Sequence, residues 1–316
     1  MRVSAVTASH EASSPTARWP FLSVAELRAR LERPASERPL LVDARGERQY
    51  RDGHLPGSFN LPARELNPIE DGVRRLATFE EIGRRLGPVG NRDAVIYGGR
   101  GGADAAHLRW TLRAAGIERV RLLDGGIEAW QAEGCSLATN SEQGPIEAKP
   151  MVPTTGDAEP ASKRSGQAEP AVRPPPSLQV THSTRSLVSV DELLRRLGEE
   201  DIADDIAILD TREPEEFSGE LVAARRGGHI PGAVLFPWTS ALGPNLKLRS
   251  EAELRELLAP VLAKPEAIIY CQSGVRAAHT LAVLEMLEHP LPRLYLGSWG
   301  EWGNREDTPV EVEAGS

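Results

Sequence analysis

Ala267-Ile268-Ile269-Tyr270-Cys271-Gln272-Ser273-Gly274-Val275-Arg276-Ala277-Ala278 is an apolar run that breaks at a cysteine, turns at a glycine and restarts as an alanine-rich stretch. The run has the length and content of a buried parallel strand, and the part beyond the glycine reads as a helix. In an open α/β sheet the functional crevice lies at the carboxyl ends of the strands, and Cys271 is the first residue beyond one. A short loop closing onto a helix N-terminus turns several backbone N–H groups toward one point, where the helix dipole also favours negative charge. Such a cradle favours a thiolate and holds an anion. Gly274 permits the tight bend, and Arg276 adds a cation at the end of the loop. A free cysteine at a strand end is more often a small buried hydrophobe. The glycine loop and helix behind Cys271 are what argue for chemistry.

The same pattern occurs earlier in the chain without a thiol, as Ala94-Val95-Ile96-Tyr97-Gly98-Gly99-Arg100-Gly101-Gly102-Ala103. Other landmarks repeat with it. Ser23-Val24-Ala25-Glu26-Leu27 matches Ser189-Val190-Asp191-Glu192-Leu193, and Thr78/Glu81 matches Ser250/Glu253, all reading as helix capping boxes. Asp43 and Arg45 match Asp210 and Arg212, and Gly53-His54-Leu55-Pro56-Gly57 matches Gly228-His229-Ile230-Pro231-Gly232. Gly125 and Trp130 match Gly297 and Trp302, so the landmarks recur in one order at offsets of 166 to 175 residues. The chain is a tandem duplication. Strands alternating with capped helices predict an α/β fold: two similar domains, each a mainly parallel sheet flanked by helices.

The pattern places the first domain at residues 19–136 and the second at 186–313, with 1–18 unstructured and 137–185, rich in Pro, Ser and Ala, as a linker. Hydrophobic residues at 40% and charged residues at 26% suit a soluble globular chain, and no apolar run or amino-terminal leader argues for a membrane or export, so the cytoplasm is the expected compartment. The net charge of −9 gives no footprint for nucleic acid. Two cysteines, Cys135 and Cys271, are too few for a disulfide framework or a zinc site.

Together the Asp-x-Arg strand end at Asp210 and Arg212, the Gly-His-Ile-Pro-Gly turn, the Cys-x-x-Gly-x-Arg loop and Gly297-Ser298-Trp299 with Glu301-Trp302 resemble the tandem-domain rhodaneses, the thiosulfate and 3-mercaptopyruvate sulfurtransferase family. The resemblance implies an inactive first domain, with Gly98 where the thiol would stand, and a second domain whose Cys271 carries a persulfide. A small anionic sulfur donor, thiosulfate first and 3-mercaptopyruvate second, would load it, and a thiophilic acceptor (cyanide, a thiol or a protein thiol) would unload it. No metal or organic cofactor is required. Donor contacts are expected from Gln272, Ser273, Gly274, Val275, Arg276 and Arg212, with Asp210, Arg226 and Trp299 supporting them. Two departures bear on the donor. Ser273 stands where thiosulfate-preferring members carry a lysine, and Glu216 where the family carries an arginine; Arg276 and Arg225 or Arg226 are the candidates to compensate.

A phosphatase or arsenate reductase on the related scaffold needs a Cys-x5-Arg loop, one residue longer than Cys271 to Arg276. A non-catalytic sulfur-carrier or interaction protein is the other rival for the whole chain; the first domain supports only an interaction role for itself, since Arg100 has no nucleophile beside it and that copy can bind an anion or a partner but cannot form a persulfide. His54 and His229 recur in both copies, with and without the thiol, and therefore read as turn residues. Cys135 has no motif around it.

Overall fold

The computed structural model describes residues 20–70, 73–75, 77, 81, 82, 85, 93–139, 186–199 and 205–312. The expected unstructured amino terminus, the linker from 140 to 185 and the Thr78 cap lie outside the described residues. No described helix is long and apolar enough to cross a membrane.

The first unit is built on β1 (Phe21–Leu22), β2 (Leu40–Asp43), β3 (Phe59–Asn60), β6 (Ala94–Tyr97) and β7 (Val120–Leu123), in the order β1-β7-β6-β2-β3. A separate antiparallel pair, β4 (Ile69–Glu70) and β5 (Val73–Arg74), follows β3 in the chain. The second unit uses β8 (Leu187–Val188), β9 (Ile206–Asp210), β10 (Val234–Leu235), β11 (Glu266–Tyr270) and β12 (Pro292–Tyr295), in the order β10-β9-β11-β12-β8. Every pairing within these two sheets is parallel. The duplicated α/β architecture expected from the repeats is therefore present. β6 and β11 are central and fully buried, as apolar runs without alternation require.

Two of the capping boxes form as read, at Ser23/Glu26 and Ser250/Glu253. At Ser189 the hydroxyl caps Glu192 N, but the Glu192 carboxylate turns to Arg293 instead, at 2.5 and 3.0 Å. A charged partner outcompetes a single backbone N–H. His54 and His229 are turn residues: each stacks on an aromatic ring, Tyr50 at 3.9 Å and Phe217 at 3.6 Å, and each Nδ1 meets that ring residue's carbonyl.

Leu137 and Ala138, placed above at the start of the linker, belong to the framework of the first unit. Ala138 exchanges both backbone hydrogen bonds with His54, and Trp130 Nε1 donates to Ser136 O at 2.9 Å. Local composition hides this, because the partner lies across the fold.

The units pack through the helices Ala103–Ala114 and Val275–Met286, whose buried faces join one apolar cluster spanning both sheets. Glu285 accepts from Arg109 and Arg113 at 2.7 Å each across this junction, and Leu248 N donates to Asp124 Oδ1 at 2.8 Å.

Candidate active site

The register pairs Tyr270 with Asp210, so the strand ends carrying Cys271 and Thr211-Arg212 emerge side by side. Thr211 N donates to Tyr270 O at 2.9 Å and fixes that adjacency. From Cys271 the chain turns through Gln272 and Ser273 to Gly274, at φ +81°, and enters the helix Val275–Met286. A β-carbon at Gly274 would stand 2.8 Å from Leu296 Cδ1 and 3.2 Å from Leu296 O, so space as well as conformation demands glycine. The N-terminus of the helix has no side-chain cap. Its first-turn N–H groups have no intrahelical acceptor and gather positive potential at the loop.

The loop is held from the opposite side by the turn after β12. Cys271 N donates to Ser298 Oγ at 3.2 Å, Trp299 N to Cys271 O at 2.8 Å, and Gly300 N to Gln272 O at 2.8 Å. Ser298 adopts φ +53°, a left-handed conformation that costs a non-glycine residue about 1 kcal/mol or more. That strain brings its hydroxyl under the cysteine amide, while the hydroxyl donates in turn to Tyr295 O at 2.9 Å. Ser298 was legible only as part of a marker; its contact with Cys271 depends on the fold.

Cys271 is buried, at 1% exposure, and Arg276 lies in the first turn of the helix that follows it. The Arg276 guanidinium forms a forked pair with Glu216, at 2.6 and 2.9 Å. Burial works against its charge, yet Glu216 and the Cys271 sulfur together hold its proton affinity well above the ordinary arginine range. Arg276 is thus a half-buried cation with a counter-charge of its own. Glu216 opposes it from the helix Pro214–Ser218.

Gln272, Ser273 and Gly274 form the turn between Cys271 and the helix, and Val275 and Arg276 open that helix. Gln272 Nε2 anchors to Ala223 O at 3.0 Å. Arg212 and Arg226 do not take the expected places. Arg212 is 1% exposed, forked onto Asp210, bonded to Gly228 O at 2.8 Å and stacked 4.6 Å over Trp299. It braces the strand end and presents no guanidinium face to a donor; Arg45 and Asp43 repeat the arrangement in the first unit. Arg226 donates to Trp302 O and Thr308 O at 3.0 and 2.7 Å, so its charge is spent on carbonyls at the end of the helix Ser298–Trp302. Trp299 is fully buried, its Nε1 on Arg226 O at 3.2 Å and its backbone N–H on Cys271 O, and so supports the loop from beneath Arg212. Arg225 is exposed and its backbone N–H is tied to Asn304.

A parallel sheet with a thiol at the foot of a helix, duplicated once without the thiol, decides the family. The rhodanese-like domain model matches residues 23–133 and again 189–305. This chain belongs to the rhodanese-like family. It is 35% identical to a thiosulfate sulfurtransferase of Azotobacter vinelandii over 91% of this chain and 95% of that one. It is 32% identical to that of Pseudomonas aeruginosa over 86% and 91% of the two chains. On this evidence this tandem rhodanese is a sulfurtransferase. The fold is shared with an anaerobic ergothioneine biosynthesis enzyme from Chlorobium limicola, at a TM-score of 0.66 and 21% identity over 88% of this chain and 65% of the other.

In the first unit the rhodanese loop has Gly98 opposite Cys271 and one more residue before its helix, since Gly102 rather than Gly101 is the helix cap. Arg100 N donates to Glu128 Oε1 at 2.8 Å. Sequence reasoning passed over Glu128 because nothing near it in the chain marks it.

Proposed function

We propose that Cys271 moves sulfane sulfur from thiosulfate to a thiophilic acceptor as a cysteine persulfide. The thiolate attacks the outer sulfur of the donor, the donor S–S bond breaks, and sulfite leaves with the bonding pair. The acceptor, cyanide or a thiol, then takes the terminal sulfur and returns the thiolate. The observation that carries this reading is a buried thiol at a strand end, directly before an uncapped helix N-terminus whose first turn carries Arg276. Backbone N–H groups from Gln272 to Arg276 stabilise the negative sulfur in both states, which is electrostatic preorganisation applied to sulfur. The curated thiosulfate sulfurtransferases it resembles support the donor.

One observation favours 3-mercaptopyruvate as a second donor. Glu216 offsets the charge of Arg276, so the pair is neutral and offers a dianion less than a free arginine would. With that donor the C–S bond breaks and pyruvate leaves as its enolate, which takes up a proton.

The test is mass spectrometry of the Cys271 peptide after incubation with each donor, followed by cyanide. A gain of one sulfur atom that cyanide removes as thiocyanate is expected. Absence of the adduct with both donors on folded protein would overturn the reading.

A further inference from the structure

The two loops share one anchoring bond. Ile127 N donates to Gly98 O at 3.0 Å just as Trp299 N donates to Cys271 O at 2.8 Å. Gly126 and Ser298, the preceding residues, share a left-handed backbone, at φ +57° and +53°. The next position is therefore Glu128 in one copy and Gly300 in the other. Where the thiol-bearing copy has no side chain, the other has a carboxylate.

That carboxylate lies on the loop. Its Oε1 takes the Arg100 amide at 2.8 Å, and a β-carbon on Gly99 would stand 3.1 Å from the same oxygen. Its Oε2 is sealed from solvent without a hydrogen-bond partner. A buried carboxylate oxygen without a donor is costly unless the local field compensates it. The compensation available is the N-terminus of the helix Ala103–Ala114 and the nearby Arg45 guanidinium. Beside it a cleft of about 380 Å³ is lined by Arg45, Arg64, Arg100, Asp104 and Trp238. On the outside the second unit closes over the loop: a β-carbon on Gly101 would stand 2.5 Å from Leu242 Cδ1 and 3.1 Å from Trp238.

We propose that the first unit keeps an anion cradle at the loop corresponding to the catalytic one, one residue longer, occupied in cis by Glu128, and that a small external oxyanion replaces the carboxylate when it is removed. The first unit is then closed to anionic donors twice over, by the missing thiol and by a resident anion, which leaves Cys271 as the destination for donor. The ligand class is a small tetrahedral or planar oxyanion, for which sulfate and acetate are the probes. The inference is read in binding and holds whether or not Cys271 transfers sulfur.

The experiment compares the full chain, Glu128→Ala and Glu128→Gln by thermal melting and by titration calorimetry, in sodium sulfate or acetate against sodium chloride at matched ionic strength. Glu128→Ala is expected to melt below wild type in chloride, to recover most of that loss in sulfate or acetate, and to bind one more sulfate per chain than wild type. Glu128→Gln, which keeps an acceptor for Arg100 N, is expected to respond to sulfate as wild type does. An identical sulfate response in Glu128→Ala and wild type overturns the proposal. So does failure of Glu128→Ala to fold in every salt, because no anion would then do the carboxylate's work. A new sulfate site in Glu128→Gln would make repulsion rather than occupancy the cause and would overturn it as well.

Discussion

Glu216 holds both arms of the Arg276 guanidinium, Oε2 to Nη1 at 2.6 Å and Oε1 to Nη2 at 2.9 Å. Burial opposes the Glu216 charge, but the hydrogen bonds from Arg276 outweigh it and keep the carboxyl below its usual range. Both groups stay ionised, so the cation beside the loop has its field partly cancelled by Glu216.

Donor charge should therefore be read through Glu216. Replacing it with glutamine removes a negative charge near the site, which favours a dianion more than a monoanion. We expect Glu216→Gln to raise kcat/KM for thiosulfate at least about threefold relative to 3-mercaptopyruvate. An unchanged ratio in side-by-side steady-state assays would count against the electrostatic role.

Removing Arg276 does two things at once. Arg276→Ala takes the cation from the donor and strands a buried carboxylate, at a cost of about 3 kcal/mol in stability. The double variant Arg276→Ala/Glu216→Gln should regain most of the lost melting temperature while keeping the raised donor KM. If KM recovers with stability, the arginine acts only as framework.

The two cysteines should behave differently. Cys135 is partly buried near the end of the first unit, its Sγ 3.9 Å from Glu133 O, with no helix N-terminus behind it. Thiocyanate production should vanish in Cys271→Ser and persist in Cys135→Ser; equal loss in both would reverse the assignment.

Ser298→Ala leaves the buried Cys271 amide without its acceptor, worth about 1–3 kcal/mol. Ser298→Gly suits the left-handed backbone better but also lacks the hydroxyl. Both should lower kcat with little change in donor KM, and the glycine variant should be the more stable. Equal kcat to wild type in either would show that the hydroxyl does not position the thiol.

His279 lies between Phe21 of the first unit and Trp238 of its own, and burial pushes its pKa from 6.5 down to about 4. Unfolding exposes an imidazole that binds a proton more readily. The stability it contributes is thus whole above about pH 6.5 and is lost as pH falls toward 4, by up to about 3 kcal/mol. His289, also depressed by burial, acts in the same direction. Denaturant titrations should show His279→Leu losing part of this acid sensitivity; an unaltered slope between pH 6.5 and 4 would reject it.

Strands, caps, the glycine turns, the duplication and the thiol at a strand end were legible because each is written in neighbouring residues or in a repeat. Cys271 with its loop was visible for that reason. Arg212 and Arg226 were misplaced because a charged side chain near a site in sequence carries no record of which way it turns. Arg212 found Asp210 two residues away and became a brace.

The amino-acid order alone thus determined two α/β copies and a single thiol at a helix start, since these follow from local periodicity and conformational preference. The tertiary structure decided which groups reach the loops: Glu216 for Arg276 across 60 residues, Ser298 for Cys271 across 27, Glu128 for Arg100 across 28. Hydrogen bonding and Coulomb energy depend on distance in space, and only the folded sheets bring those partners within 3.2 Å.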